Sequence, residues 1–243
     1  MEGMERKECM EGMQSFQCDV RWLGRIEYRE AWELQDKLAK QRLSGEIPDT
    51  LLLLEHPPTI TLGRGANAAN IVASSDRLTR IGVAVVETNR GGDVTYHGPG
   101  QIVGYPILNL NQPPHRPDLH QYLRNLEEVL IRAVATFGIL SGRFPGYTGV
   151  WVSPQSPSAS KVAAIGIRTS RWITQHGFAL NVCTDLSRFD LIIPCGIREY
   201  NVTSLERLLD REISISETIP PLIKSYEQVF GMTCGPVIGL DFP

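Results

Sequence analysis

One run, Arg90 to Pro106 (RGGDVTYHGPGQIVGYP), constrains this chain more than any other. Glycines stand at 91, 92, 98, 100 and 104. A backbone that turns through positive φ, or lets another group come into contact, uses glycine because no Cβ intervenes. Between them lie Arg90, Asp93, Thr95, Tyr96, His97 and Gln101, whose side chains hydrogen-bond or carry charge. The run continues into Ile102, Val103, Tyr105, Ile107 and Leu108, an apolar stretch that reads as a buried strand. A polar glycine loop feeding a core strand is a binding loop on a rigid support. The same letters also suit a glycine-rich hairpin that binds nothing.

The flanking segments alternate between strand and helix signals. Cys18–Arg25 suits a first strand, and the spacing of Tyr28, Ala31, Trp32, Leu34, Gln35 and Leu38 predicts an amphipathic helix over 27–43. Leu51–Leu54 and Thr59–Leu62 read as strand pieces about a Pro57-Pro58 corner, and Gly82–Thr88 as a β-branched strand. A helix from Leu119 to Phe137 stops at Gly138. Gly149–Val152, Val162–Arg168 and Thr174–Val182 are further strands, the last two a hairpin about a turn near Ser170. Thr203 opens TSLE, a capping box with Glu206, for a short helix to about 211, and a last helix near 216–230 closes at Gly231. The pattern predicts a single mixed α/β, or α+β, domain over residues 18–243. Residues 1–17, with four methionines and little periodicity, read as a disordered tail.

Charge and cysteine usage narrow the function classes. The net charge of −3, from 24 Lys+Arg and 27 Asp+Glu, argues against nucleic acid and anionic membrane as partners. The five cysteines, at 9, 18, 183, 195 and 234, form neither a disulfide framework nor a CxxC zinc pair. With no signal peptide or membrane span, the expected place is a reducing cytoplasm.

Five chemistry-bearing residues stand out. Lys161 sits where the polar loop 153–160 enters an apolar strand. Cys195 lies between Pro194 and Gly196 inside LIIPCGI, a setting that suits either a nucleophilic thiol beside accessible backbone N–H groups or a buried structural cysteine. Arg64, in Gly63-Arg64-Gly65, reads equally as a solvated cation or as a contact to an anionic substrate. His97 and His176 are candidates for holding backbone or substrate carbonyls, for core packing, or for a Cys-His hydrolase pair; as zinc ligands they lack an obvious third partner.

The motifs EHPPTITLG (55–63), RGGDVTYHGPGQIVGYP, SKVAAIG (160–166), HGFALN (176–181) and Pro194-Cys195-Gly196 stand in the order seen in the octanoyltransferases of lipoate biosynthesis, and the chain from about 18 to 210 resembles that lipoyl(octanoyl) transferase family. The resemblance implies a biotin/lipoate protein ligase-like fold, with mixed sheets flanked by helices. It implies transfer of an octanoyl group from octanoyl-acyl carrier protein to a lysine of lipoyl domains, on 2-oxoacid dehydrogenase E2 subunits and the glycine cleavage H protein. It makes Cys195 the acyl-thioester nucleophile and Lys161 its activating acid/base partner. It assigns substrate binding to Arg90, Gly91, Gly92, Asp93, Val94, Thr95, Tyr96 and His97, to Ala164, Ile165 and Gly166, and to Gly177, Phe178 and Ala179. It implies no cofactor and no metal. The competing readings are an ATP-dependent lipoate or biotin ligase on the same fold, which would not need Cys195, and a non-catalytic module that binds acyl chains or acyl carrier protein.

Overall fold

A computed structural model describes residues 16–194 and 200–239. The expected nucleophile, Cys195, and residues 1–15 of the expected tail lie outside the described residues. The elements run β1 (Gln17–Arg25), α1 (Tyr28–Ser44), β2 (Asp49–Glu55), β3 (Thr59–Leu62), α2 (Ser75–Arg80), β4 (Ala84–Glu87), β5 (Val94–His97) and β6 (Gln101–Ile107). They continue as α3 (Leu119–Ala135), β7 (Ser141–Phe144), β8 (Tyr147–Val152), β9 (Ser160–Ser170), β10 (Ile173–Asn181), β11 (Asn201–Val202), α4 (Leu205–Leu209), α5 (Ile215–Phe230) and β12 (Thr233–Cys234).

A nine-stranded mixed sheet has the order β12-β1-β2-β6-β10-β9-β8-β7, with β11 added alongside β9. A second sheet of three strands has the order β4-β3-β5. The Leu51–Leu54 run shows how the layers form. Leu51 and Leu53 face a core shared with Leu126 and Leu130 of α3 and Leu222 and Tyr226 of α5. Leu52 and Leu54 face Ala31 and Leu38 of α1. Alternate side chains of a strand point to opposite faces, so an unbroken apolar run belongs to a strand covered on both sides. The small sheet has its own core, in which Ile60, Val94 and Tyr96 meet Leu78 of α2 and Phe189.

The main elements sit where the periodicity puts them, and the differences have local causes. The Arg90–Pro106 run is not one loop feeding one strand: Val94–His97 forms β5, antiparallel to β3 with Ile60 opposite Tyr96. The Pro57-Pro58 corner sends the chain from one sheet to the other, since β2 belongs to the large sheet and β3 to the small one. The cap of α4 is Ser204, whose hydroxyl accepts from the Arg207 N–H, not Thr203, and the helix ends at Leu209. Strand β7 and helix α2 are absent from the sequence reading; β7 has only glycine and polar residues before Phe144, and α2 spans only six residues. The β9–β10 turn is made by Arg171 and Trp172, both at positive φ (51° and 63°), without the Asn-Gly pair that advertises such turns. No helix among the described residues is long and apolar enough to cross a membrane.

Candidate functional site

The predicted binding segments converge on a cleft between β5 and the β6–β10–β9 part of the large sheet. Arg90, Gly92, Asp93, Thr95 and His97 form one wall. Ala164, Ile165 and Gly166 of β9 and Gly177, Phe178 and Ala179 of β10 form the other. These two triplets are partners in register: Ala164 opposite Ala179, Ile165 opposite Phe178, and Gly166 opposite Gly177. Gly91, Val94 and Tyr96 do not line the cleft. Val94 and Tyr96 are out of phase with Thr95 and His97, and period-2 alternation turns them into the core of the small sheet. Gly91 instead donates its N–H to the Ile167 carbonyl at 2.9 Å, fastening the loop to β9.

Glycines let these backbones approach. A Cβ on Gly166 would stand 2.9 Å from the Gly91 carbonyl oxygen, and one on Gly177 only 2.2 Å from that of Gly104. Forcing a methyl group into such a contact typically costs about 1–3 kcal/mol. Gly177→Ala is therefore expected to lower stability by that amount, read as a reduced urea midpoint at unchanged m-value.

Arg90 is 7% exposed and is engaged with the backbone that shapes the cleft. Its guanidinium donates to the Thr61 carbonyl (2.7 Å), to Thr61 Oγ1 (2.8 Å), to the Asp93 carbonyl (2.7 Å) and to the Gly91 carbonyl (2.9 Å). Asp93 in turn accepts from the Asn67 N–H and the Asn70 amide. Both charged residues thus build the loop. Of the two readings of Arg64, the structure favours the solvated one: its side chain is exposed and does not line the cleft, while its N–H donates to the Arg90 carbonyl.

The inner end of the cleft is polar yet uncharged. Tyr28, His56, His97, Tyr105 and His176 pack with ring centroids 4.9–6.1 Å apart. His56 Nδ1 donates to the Ile26 carbonyl, which leaves Nε2 to accept from the Tyr105 hydroxyl at 2.8 Å. His176 stands at φ 55° within β10, where Gln35 accepts from its N–H at 2.7 Å and Asn89 accepts from Nε2 at 2.7 Å. Burial is the main cause that pushes His56 down to about 4 and His176 to about 3, and it holds His97 well below the ordinary histidine range, with His56 and Arg90 adding to the effect. These imidazoles are neutral at physiological pH and are weak bases. Tyr28 and Tyr105, lifted chiefly by burial, stay protonated.

A pH dependence of stability follows. The unfolded histidines take up protons near about 6.5 and the folded ones only at lower pH, so the unfolded state binds more protons in between. Stability is complete above about 6.5 and falls below it, by about 1.4 kcal/mol per pH unit for each such histidine. Urea midpoints are expected to hold above about pH 6.5 and to decline steadily from there to about pH 5. A flat profile would mean that the cluster is accessible to protons in the native fold.

From this cleft a hydrogen-bond path leads to Lys161. His97 Nδ1 donates to Gln101 Oε1 (2.8 Å), Gln101 Nε2 donates to Asn181 Oδ1 (2.9 Å), and Asn181 Nδ2 donates to the Thr203 carbonyl (3.0 Å). The Thr203 N–H then donates to the Lys161 carbonyl (2.9 Å). Lys161 is the second residue of β9, where the polar loop enters the strand, and is 8% exposed. Its Nζ lies 4.8 Å from the centroid of the Trp151 ring. The register shift between β8 and β9 at this point places Trp151 opposite Lys161 and Val150 opposite Ala163. Such an irregularity re-aims side chains beside it.

Sequence reasoning missed Tyr28, Val103 and Tyr105 as cleft residues, because the apolar periodicity that placed them also accounted for them as core. It missed Gln35 and Asn89 because only the folded chain brings α1 and the loop after β4 to His176.

The catalytic-domain model of the lipoyl protein ligase A/B family matches residues 27–227. An octanoyltransferase from Rubrobacter xylanophilus is 55% identical over 216 residues, which cover 88% of this chain and 94% of that one. An octanoyltransferase from Chloroflexus aurantiacus is 49% identical over 214 residues, again 88% of this chain and 94% of the relative. Among solved structures, a bi-partite lipoate protein ligase from Thermoplasma acidophilum superposes with a TM-score of 0.70 at 16% identity, over 93% of this chain and 88% of that one. That likeness speaks to the fold alone. By its match to the family model and by its near-full-length relatives, the chain belongs to the lipoyl protein ligase A/B catalytic-domain family, among the octanoyltransferases.

Proposed function

We propose that this enzyme, a single catalytic domain over residues 18–243, takes an octanoyl group from octanoyl-acyl carrier protein onto Cys195 and passes it to a lysine of lipoyl domains. Those acceptors are the lipoyl domains of 2-oxoacid dehydrogenase E2 subunits and the glycine cleavage H protein, and the cytoplasm is where these partners meet it. The donor is a thioester. The Cys195 thiolate attacks its carbonyl carbon, the carrier's thiolate leaves and takes the proton of the Lys161 ammonium, which leaves a neutral amine there, and one thioester replaces another at little cost in free energy. The acceptor amine then attacks the Cys195 thioester, the Cys195 sulfur leaves, and the amine's proton passes to Lys161 or solvent as the amide forms. A covalent nucleophile divides one hard transfer into two easier ones.

The observation that carries this reading is the course of the chain on either side of Cys195. On the far side, Val202 of β11 is the register partner of Lys161. Tyr200 packs edge-on to Trp151 at 5.7 Å, the ring that carries the Lys161 ammonium. On the near side, Pro194 shares a groove with Ser160, Tyr200 and Asn201. The described residues that flank Cys195, Pro194 and Tyr200, thus line one groove beside the Lys161 corner, which supports the pairing of that thiol with that ammonium. An ammonium favours the thiolate of a group whose free pKa is about 8.5. The neutral imidazoles of the cleft suit an uncharged acyl chain and supply no strong base.

Intact mass after incubation with octanoyl-acyl carrier protein tests the proposal. One added octanoyl group without ATP, released by hydroxylamine and absent in Cys195→Ala, is the expected result. Loading that requires ATP would replace it with a ligase reaction. Binding with no mass change would make the chain a carrier-binding module.

A further inference from the structure

We propose that Trp151 is a positioning residue for the transfer reaction: its indole face holds the Lys161 side chain in place and stabilises it as an ammonium. The observation is geometric. Trp151 and Lys161 are opposed on β8 and β9. The lysine nitrogen lies 4.8 Å from the ring centroid, within the range of a cation–π contact, for which tryptophan is the best of the aromatic side chains. Both side chains are buried, Trp151 at 1% exposure and Lys161 at 8%. Removing an ammonium from water disfavours its charge, and the ring's negative face opposes that loss.

The surroundings are arranged about the ring. Phe144, Tyr147 and Tyr200 pack against it with centroids 5.1–5.9 Å away, which fixes its plane. Its indole N–H is buried and has no acceptor among the described residues, so its polar handle does not account for its place here; its face does. Gly149, at φ 117°, lies beside the lysine stem: a Cβ there would stand 3.5 Å from Lys161 Cε and 2.5 Å from the Ala163 carbonyl oxygen. The Gly149 N–H donates to Glu127, whose carboxylate is paired with Arg124 and Arg143; Arg143 also pairs with Glu128, and Tyr147 and Tyr200 pack against the ring.

Only the catalytic consequence rests on the pairing of Lys161 with Cys195, and the test separates the two. In full-length protein labelled with 13C at the lysine ε-carbon, the Lys161 signal is assigned by its absence in Lys161→Met. The proposal expects that signal to be displaced upfield by the ring current in the wild type. It expects Trp151→Leu to release the Lys161 proton about tenfold more readily, a change of one pKa unit. Trp151→Phe, which keeps a ring, should restore most of the difference. An unshifted wild-type signal, or the same titration in folded Trp151→Leu, would overturn the proposal, and the wild-type and Trp151→Phe measurements decide it if the leucine variant does not fold. The pH profile of Cys195 alkylation is measured in parallel. A rise in its midpoint in Trp151→Leu that adds nothing to Lys161→Ala in the double variant supports the catalytic consequence. A changed lysine titration with an unchanged alkylation profile supports the contact and sinks the pairing with Cys195.

Discussion

Cys195→Ala is expected to abolish octanoyl loading and to lower overall transfer by about a thousandfold or more, with the fold intact. Removing a nucleophile that acts in concert with its partner takes away nearly the whole covalent route, leaving only the catalysis that binding and orientation provide. The measurement is intact mass for the loaded enzyme and quantified octanoylation of a lipoyl domain for the complete reaction. The control is a thermal or urea melt that overlays the wild type. Cys195→Ser sharpens the result. It keeps an oxygen nucleophile of similar size, but a hydroxyl is far harder to ionise than a thiol, so transfer should stay close to the alanine level. Wild-type rates in either variant would mean that the acceptor amine attacks the donor thioester directly, in a complex that needs no sulfur on the enzyme.

The second large effect belongs to Lys161. Lys161→Ala is expected to slow loading by about tenfold for each pKa unit by which the ammonium lowers the thiol. Near neutral pH a thiol at its free value of about 8.5 is only a few per cent ionised, so the deficit is largest there. As pH rises through about 8.5 the unaided thiol ionises on its own, and loading should recover a substantial part of the wild-type rate. The sign is diagnostic: recovery of loading with rising pH marks a lost cation, whereas overall octanoylation that stays slow at high pH after loading has recovered marks a lost proton carrier in the second step. Equal loading rates at every pH would remove Lys161 from the mechanism. Lys161→Arg separates charge from proton transfer further, because guanidinium keeps the charge yet does not deprotonate in this range.

Reading the row of letters located the strong periodic elements. The α3 stripe, the four leucines of β2 and the β9–β10 hairpin follow from side-chain periodicity and burial alone, since an amphipathic helix or a doubly covered strand can satisfy its apolar residues in few ways. The glycines of the Arg90 run, Gly91 and Gly104 among them, were legible as places of close approach. What they approach was not: Gly91 meets Ile167 and Gly177 meets Gly104 only because β6, β10 and β9 lie side by side. Ser204, not Thr203, caps α4 because capping depends on the backbone torsion at one residue, which spacing does not specify.

The candidate site divides along the same line. The sequence by itself determined the family motifs, the residue types at 90–97, 161 and 195, and a mixed fold of sheets with flanking helices, because these are properties of local composition and order. The tertiary structure alone decided that Arg90 and Asp93 hold the loop together, that Val94 and Tyr96 face away from the cleft, and that three histidines from distant positions share one dry cluster and are neutral for that reason. It also decided that Trp151 lies against Lys161. Burial, charge state and cross-strand contact are set by neighbours far apart in the chain, and no local pattern of residues encodes the distance between them.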